Sequence, residues 1–246
     1  MKLSERDRIK TKINSIESQR WWGDDFDIRF YLISELKKIR RKNILDVGGG
    51  IGIICSELNN SNTRVNLDLS QKDLKICKEM VDKNIRNVCA SMTNLPFKEN
   101  FFDVVICSHL LEIAKQNDIE NNQVNNDGAV ARYPTIEKTL NEISRVLRTN
   151  GRLFITTPNN SYYKTIKLAF EELNESVTRI FPNSKINFFN THSRVGTSRK
   201  LNMANTIPKF TAKIFNPDKV ISNLLKEKSK NGYSVSFYVQ AIKDLN

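Results

Sequence analysis

Residues 44–52 read Ile-Leu-Asp-Val-Gly-Gly-Gly-Ile-Gly, and this stretch decides the fold. A short apolar run leads straight into a glycine-rich turn, and Asp68 follows 22 residues after Asp46, at the end of a second apolar run. Glycine lets the backbone approach a ligand closely and adopt positive φ. An acid at the tip of the second strand can accept hydrogen bonds from both hydroxyls of a ribose. The pattern therefore predicts a nucleotide-type cofactor at the carboxyl end of a parallel sheet.

The glycine spacing separates two kinds of cofactor. A dinucleotide-binding turn needs a third small residue at position 53, which is Ile53 here. Instead, glycines stand at 48, 50 and 52, and Asp46 lies two residues before the first of them. A carboxylate so close would repel a pyrophosphate, whereas it suits a ligand that carries an amino group and a sulfonium. A tight strand-to-helix turn with no ligand is the alternative at this point.

Three further segments follow the glycine turn in the chain. They read Ala-Ser-Met-Thr-Asn-Leu-Pro-Phe at 90–97, Phe-Asp-Val-Val-Ile-Cys-Ser-His-Leu-Leu-Glu at 102–112 and Glu-Ile-Ser-Arg-Val-Leu-Arg-Thr-Asn-Gly-Arg-Leu at 142–153. In order and spacing, the four segments resemble the motifs of the class I S-adenosylmethionine-dependent methyltransferases, in particular the small-molecule, type 11-like subgroup. The resemblance covers residues 43–158. It implies S-adenosylmethionine as the cofactor and methyl transfer as the activity.

Apolar runs and helical repeats alternate along the chain, which favours an α/β fold with a parallel sheet and right-handed crossovers. The predicted strands are 43–47, 64–67, 87–90, 102–107, 151–157 and 233–242. The predicted helices are 3–19, 28–39, 51–59, 71–83, 135–148, 162–175 and 217–229. The resemblance implies a Rossmann-like, seven-stranded sheet that is mostly parallel, with helices on both faces and an antiparallel last strand between the fifth and the sixth.

The length of 246 residues suits one methyltransferase domain. We expect an N-terminal helical lid over 1–42, a cofactor-binding core over 43–158, and substrate-side elements with the C-terminal strands over 159–246. The polar, Asn-rich segment 115–134 is predicted as a flexible insertion, and a lid and a disordered loop are both open.

The resemblance also implies roles for individual residues of the cofactor site. Asp46 would accept a hydrogen bond from the amino group of the methionine moiety, and Asp68 would hold the ribose hydroxyls. Ser91 departs from the family pattern, which usually has Asp there. The full set of expected cofactor contacts is Asp46, Gly48, Gly50, Asp68, Leu69, Ser91, Met92 and Ser108.

His109 follows the fourth strand beside the expected methionine end. It is a candidate general base, because a histidine titrates near neutral pH. A neutral histidine that only lines the pocket is the other interpretation. Catalysis asks little else of the protein, since the methyl group is already activated and in-line displacement needs chiefly alignment.

The net charge of +12 is unevenly distributed. Residues 151–246 hold 15 basic and 6 acidic side chains, and residues 176–217 hold seven basic side chains and no acid. Such a segment attracts anions over about a Debye length, although a merely solvated basic face is the alternative. We assign Arg194, Arg199 and Lys200 as candidate contacts for an anionic substrate.

Several classes are disfavoured by what the sequence lacks. There is no [DN]-P-P-[FYW] motif after the fourth strand, which argues against methylation of the exocyclic amines of adenine or cytosine. There is also no Pro-Cys nucleophile there, which argues against C5 methylation of cytosine through a covalent adduct. With two histidines and four scattered cysteines, we expect packed, reduced thiols and no metal site. No secretory signal or apolar span is visible, so a cytoplasmic location is expected.

Three functional hypotheses follow. The first is methyl transfer from S-adenosylmethionine to an O or N atom of a small anionic molecule by direct in-line displacement. The second is an RNA-modifying methyltransferase that uses the basic segment 176–217, where aromatic residues interleave with basic ones. The third is a non-catalytic cofactor-binding or regulatory protein of the same fold. Peripheral contact with a membrane surface and the oligomeric state stay open.

Overall fold

The computed structural model describes residues 26–125, 130–158, 168–191 and 234–244. The strands of these residues are β1 (Asn43–Val47), β2 (Thr63–Asp68), β3 (Arg86–Cys89), β4 (Phe102–Ser108), β5 (Leu147–Pro158), β6 (Lys185–Thr191) and β7 (Ser234–Ile242). The helices are α1 (Phe26–Leu36), α2 (Ile53–Glu57), α3 (Gln71–Ile76), α4 (Leu111–Glu120), α5 (Pro134–Val146) and α6 (Phe170–Thr178). A π-helical turn over Cys77–Val81 continues α3.

The strands form one seven-stranded sheet in the order β3-β2-β1-β4-β5-β7-β6. The first five strands are parallel, and β7 runs antiparallel to both of its neighbours, β5 and β6. This confirms the Rossmann-like sheet and the antiparallel last strand that the sequence predicts. The strand order reverses between β1 and β4, and open α/β sheets bind ligands at the carboxyl ends of the strands at such a point.

Helices cover both faces of the sheet. On one face, α4, α5 and α6 contribute to one apolar core, and on the other face α1 and α2 contribute to a second. Helix α5 begins with Pro134 at its first turn and buries Ile136, Leu140 and Ile143, which are spaced to form one stripe. These cores hold the carboxyl ends of β1, β2 and β4 in fixed relative positions.

The segment 115–134 differs from its prediction as a flexible insertion. Residues 115–120 complete helix α4, and within that helix Lys115 and Asp118 are buried. Asp118 accepts hydrogen bonds from the backbone N–H and the hydroxyl of Thr135, at the start of α5. Asn125 and Arg132 pair in an antiparallel bridge. The prediction of a flexible insertion is therefore wrong for residues 115–120, because buried polar contacts hold this part of α4 against α5.

Other boundaries also moved. Of the helix predicted over 162–175, residues 162–167 lie outside the described residues. Leu168 and Ala169 are not helical, and the described helix runs over Phe170–Thr178. The predicted helices 3–19 and 217–229 lie outside the described residues.

Cys55, Cys77 and Cys107 are buried as expected, whereas Cys89 is exposed, so the prediction of a packed thiol is wrong for Cys89. None of the helices in the described segments is long and apolar enough to cross a membrane.

Candidate active site at the carboxyl edge of the sheet

A cavity of about 220 Å³ lies where β1, β2 and β4 end. The glycine turn after β1, the acid that ends β2 and the first residues after β4 all reach it. Its lining residues are Arg29, Asp46, Gly48, Gly49, Gly50, Ile51, Ile54, Asp68, Asp73, Ser108, His109 and Ile113.

The glycine turn is shaped by both backbone conformation and close packing. Gly48 and Gly50 have φ of +71° and +54°, a conformation that other residues rarely adopt. At Gly49 a Cβ atom would lie 2.1 Å from Oδ1 of Asn66 and 2.8 Å from the carboxylate of Asp46, so a side chain there would displace buried polar groups. At Gly50 a Cβ would meet nothing within 4 Å, so this backbone is open to a ligand.

Asp46 lies in the middle of the sheet and is fully buried. Neither of its carboxylate oxygens has a hydrogen-bond partner of ordinary geometry among the described residues. Burial raises the pKa of Asp46 to about 7, and the positive charge of Arg29 opposes this effect. A buried, unsatisfied carboxylate is costly, which indicates that this position is built to receive a hydrogen-bond donor or a cation.

Asp68 closes the opposite side of the turn and is half-buried. Its carboxylate accepts a hydrogen bond from the N–H of Gly50 at 2.9 Å and another from the N–H of Ser70 at 2.9 Å. These bonds fix the carboxylate, and each oxygen keeps a further lone pair that could accept a hydrogen bond from a ligand hydroxyl.

The residues that leave β4 form the third side of the cavity. The hydroxyl of Ser108 lies 2.8 Å from the hydroxyl of Thr156 on β5. His109 has φ of +56°, and its backbone N–H donates to the carbonyl of Thr156 at 2.8 Å. Its Nδ1 lies 3.3 Å from a carboxylate oxygen of Glu112, one turn further along the chain.

Six of the predicted site residues meet in this cavity, namely Asp46, Gly48, Gly50, Asp68, Ser108 and His109. Leu69, Ser91 and Met92 are not among its lining residues. Leu69 is 67% exposed, whereas Met92 packs partly buried against the apolar core. The hydroxyl of Ser91 lies 2.9 Å from that of Thr93. Arg194, Arg199 and Lys200 lie outside the described residues, so their role stays a prediction.

Sequence reasoning missed four residues that shape the site. Arg29 comes from α1, and its only signal was a basic residue inside an apolar helical repeat. Asn66 donates from its side chain to the carbonyl of Gly50 at 2.9 Å, and it precedes Asp68 by two positions, so the two side chains share one face of β2. Gly49 was treated as a spacer between the other glycines. Glu112 was noted as part of a motif but was given no role.

The residues present fit S-adenosylmethionine. The unsatisfied carboxylate of Asp46 calls for a donor such as an ammonium group, and Arg29 brings a guanidinium, which suits a carboxylate, to the same cavity. The open backbone at Gly50 lies beside the fixed carboxylate of Asp68. Within the described residues, no group of three or more His, Cys, Asp or Glu side chains could hold a metal ion.

The chain is similar to known methyltransferases. Residues 45–155 match the family described as the methyltransferase domain. An uncharacterised protein of Methanocaldococcus jannaschii is 32% identical over 127 residues, which are 50% of this chain and 45% of that protein. The ubiquinone/menaquinone biosynthesis C-methyltransferase UbiE of Wigglesworthia glossinidia brevipalpis is 28% identical over 139 residues, 53% of this chain and 48% of that protein. The chain thus spans about half the length of these curated relatives.

A solved structure shows the same fold. The N-methyltransferase NodS of Bradyrhizobium japonicum, crystallised with S-adenosyl-L-homocysteine, superposes with a TM-score of 0.59 at 10% identity, and 97% of each chain is covered. At this identity the likeness concerns the fold alone. Residues 45–155 therefore carry a methyltransferase domain of the class I, type 11 kind, whose cofactor is S-adenosylmethionine.

Proposed function

We propose that this protein transfers the methyl group of S-adenosylmethionine to an O or N atom of a small anionic molecule by direct in-line displacement. The observation that carries the proposal is the buried carboxylate of Asp46, which has no hydrogen-bond partner of ordinary geometry among the described residues and lies in the same cavity as Asp68 and His109. Such a cavity suits a ligand that donates hydrogen bonds both to Asp46 and to Asp68.

Three residues would bind the cofactor, and a fourth would accept a proton. Asp46 would accept from the ammonium group and Arg29 would pair with the carboxylate of the amino-acid end, while Asp68 would accept from the ribose hydroxyls. When bound, S-adenosylmethionine supplies a methyl group on a positively charged sulfur. His109 would take the proton of the acceptor atom, and the remaining task of the protein is to align the acceptor and to exclude water.

An anionic acceptor is supported by charge. The chain carries a net charge of +12, and residues 151–246 hold most of the basic surplus. We infer that Arg194, Arg199 and Lys200 contact the anionic group. Replacing the three together should leave the affinity for cofactor unchanged and lower turnover of an anionic substrate, whereas equal loss of both would indicate a folding defect.

The RNA-modifying alternative draws on the same charge. In the described part of the basic segment, Arg179 lies 3.2 Å from a carboxylate oxygen of Glu137 and 2.6 Å from one of Glu175. This ion pairing neutralises one of the charges that RNA phosphates would use, so the small-molecule proposal is preferred. The cytoplasmic location remains a prediction from the sequence, and cell fractionation would test it.

The first test is calorimetric titration of the purified protein with S-adenosyl-L-homocysteine. Asp68→Ala should weaken binding by about 1–3 kcal/mol, because the ribose donors lose a charged acceptor. Glu79→Ala is the matched control, because Glu79 is an exposed acid that does not line the cavity. Unchanged affinity in Asp68→Ala would refute the role assigned to that carboxylate.

Methyl uptake then decides between substrates. The protein is incubated with methyl-labelled S-adenosylmethionine and either a pool of anionic metabolites or total RNA, and label is counted in each. Uptake into a small anionic molecule supports the proposal, and uptake into RNA supports the alternative. If the folded protein binds no S-adenosyl-L-homocysteine, the non-catalytic hypothesis replaces both.

A further inference from the structure

A second carboxylate, Glu112, stands directly behind His109. Glu112 lies on the first turn of α4, three residues after His109, and one of its oxygens lies 3.3 Å from Nδ1 of the imidazole. The other oxygen accepts a hydrogen bond from the hydroxyl of Thr157 on β5 at 3.0 Å. The side chains of His109 and Glu112 are only 7% and 16% exposed, so the contact is largely shielded from water.

The backbone holds both residues in place. β4 ends at Ser108, and the positive φ of His109 turns the chain directly into α4. A non-glycine residue with positive φ is strained, and such strain is found most often at functional sites. The hydrogen bond from the N–H of His109 to the carbonyl of Thr156 fixes this turn against β5, the strand that also carries Thr157.

Glu112 is in its ionised form at neutral pH. Burial would raise its pKa, but the hydrogen bonds and charge of His109 together with the hydrogen bond from Thr157 outweigh burial and hold the pKa of Glu112 below its usual range. An ionised carboxylate has lone pairs and no proton, so it can only accept. The imidazole proton therefore belongs on Nδ1, which faces Glu112.

We propose that Glu112, itself held by Thr157, is the positioning residue that sets His109 in the Nδ1–H tautomer, so that Nε2 is the atom that takes the proton of the methyl acceptor. In this step the acceptor's O–H or N–H bond breaks, its electron pair stays on the O or N atom, and a new N–H bond forms at Nε2. The imidazolium that results lies against the negative charge of Glu112, which stabilises it. The inference rests on the proposed function, because it assigns the proton transfer of that reaction.

The experiment uses the small number of histidines. The chain has two, so His192→Gln leaves His109 as the sole imidazole. The 15N shifts of the ring in this variant, measured over a pH series, report whether the neutral ring carries its proton on Nδ1 or on Nε2. The expected result is the Nδ1–H tautomer. The Nε2–H tautomer, which free imidazole side chains prefer in water, would overturn the proposal.

Variants at Glu112 separate orientation from charge. Glu112→Leu on the same background should shift His109 to the Nε2–H tautomer, whereas Glu112→Gln retains an acceptor oxygen and should preserve Nδ1–H. If Glu112→Leu does not fold, the tautomer in the His192→Gln protein still decides the question. With the identified substrate, Glu112→Gln should lower kcat about 10-fold or more with KM little changed, since the imidazolium loses its counter-charge. An unaltered kcat would contradict the proposal.

Titration of the His192→Gln protein with S-adenosyl-L-homocysteine distinguishes a failure of the role assigned to Glu112 from a failure of the proposed function. Binding together with the wrong tautomer would overturn only the role of Glu112. A correctly folded protein that does not bind would overturn the proposed function itself, and the proton-transfer role would fall with it.

Discussion

The ionisation of single residues governs how this site receives its ligand. Asp46 is buried and its pKa is raised to about 7. In the ligand-free protein, this carboxyl group therefore exchanges between its protonated and charged forms near neutral pH. In the proposed complex the ammonium group of the cofactor favours the charged carboxylate, so we expect binding to displace that proton. The site should be sensitive to pH on account of Asp46.

Below about pH 7, binding of S-adenosyl-L-homocysteine should weaken by up to about tenfold per pH unit, because the carboxyl of Asp46 must first lose its proton. Above that pH the affinity should level off. Asp46→Asn should weaken binding at about pH 8 by about 1–3 kcal/mol and flatten the pH dependence. Calorimetry in buffers of different ionisation enthalpy measures both the affinity and the proton released.

The stability of the ligand-free protein should change in the opposite direction. The pKa of Asp46 is raised above its value in the unfolded chain, so the folded state holds an extra proton between about pH 4 and about pH 7. The free energy of unfolding should fall as pH rises through this window, and Asp46→Asn should reduce the slope. A slope that is the same in both proteins would show that Asp46 is not the titrating group.

Arg29 offers a second test at the residue scale. Arg29→Met should weaken S-adenosyl-L-homocysteine binding by about 1.5–3 kcal/mol, since a carboxylate loses a charged donor. It should also move the midpoint of the pH dependence upward, because the charge of Arg29 lowers the pKa of Asp46. Calorimetric titrations over a pH series measure both effects.

The ligand 5′-methylthioadenosine provides the control, because it lacks the amino-acid end. Its affinity should be the same in the wild type and in Arg29→Met, and Arg29→Lys should lose less affinity for S-adenosyl-L-homocysteine than Arg29→Met does. If both ligands lose affinity equally, Arg29 supports the cavity as a whole and does not contact the amino-acid end.

Three elements are joined behind the site by one carboxylate, that of Glu172, whose side chain is 14% exposed. Glu172 on α6 lies 2.6 Å from Nζ of Lys115 on α4, and its other oxygen accepts a hydrogen bond at 2.7 Å from the hydroxyl of Tyr133, just before α5. It also accepts from the N–H of Ala169 at 2.7 Å. The ammonium group of Lys115 lies 4.8 Å from the centre of the Tyr133 ring. These contacts hold α4, which carries Glu112, against α5 and α6.

Lys115→Met should lower the free energy of unfolding by about 3–5 kcal/mol, because Glu172 would keep a buried charge without its partner cation. Denaturant-induced unfolding at neutral pH measures the loss. In the double variant Lys115→Met with Glu172→Gln, part of the stability should return, since the uncompensated charge is gone while acceptor and donor groups remain. A loss below about 1 kcal/mol in the single variant would mean that the pair behaves as a solvated one.

The charge of the whole molecule separates the two candidate substrates. A net charge of +12 favours any polyanion at low salt, so weak RNA binding alone carries little meaning. The cofactor cavity is different, because S-adenosyl-L-homocysteine carries one positive and one negative charge at its amino-acid end, and we expect the buried carboxylate of Asp46 to contact that end.

Raising salt from about 50 to about 200 mM should change the affinity for S-adenosyl-L-homocysteine by less than about twofold. RNA held through several phosphates should lose about a thousandfold in affinity over the same range, because each contact releases counterions. Calorimetry and a filter-binding assay measure the two dependences. RNA binding that persists at the higher salt, with methyl uptake into RNA, would favour the RNA-modifying alternative.

The sequence by itself determined the order of the other described strands and helices, and the two acids at the ends of β1 and β2, but it predicted neither β6 nor α4. β1 runs over Asn43–Val47 as predicted, because a continuous apolar run between breakers specifies a strand that is buried on both faces. Asp46 and Asp68 were found from spacing alone, because parallel strands bring their carboxyl ends to one edge. Those inferences depend on local pattern.

Only the tertiary structure decided which distant groups meet. Arg29 reaches the cavity because α1 packs with α2 on one face of the sheet, and Glu172 meets Lys115 because α4 and α6 both pack against α5, pairings that no local spacing encodes. The helical start of 115–134 was missed for the same reason, because its polar residues are satisfied by partners elsewhere in the chain. Local periodicity specifies elements, while the contacts between elements depend on how the whole chain packs around them.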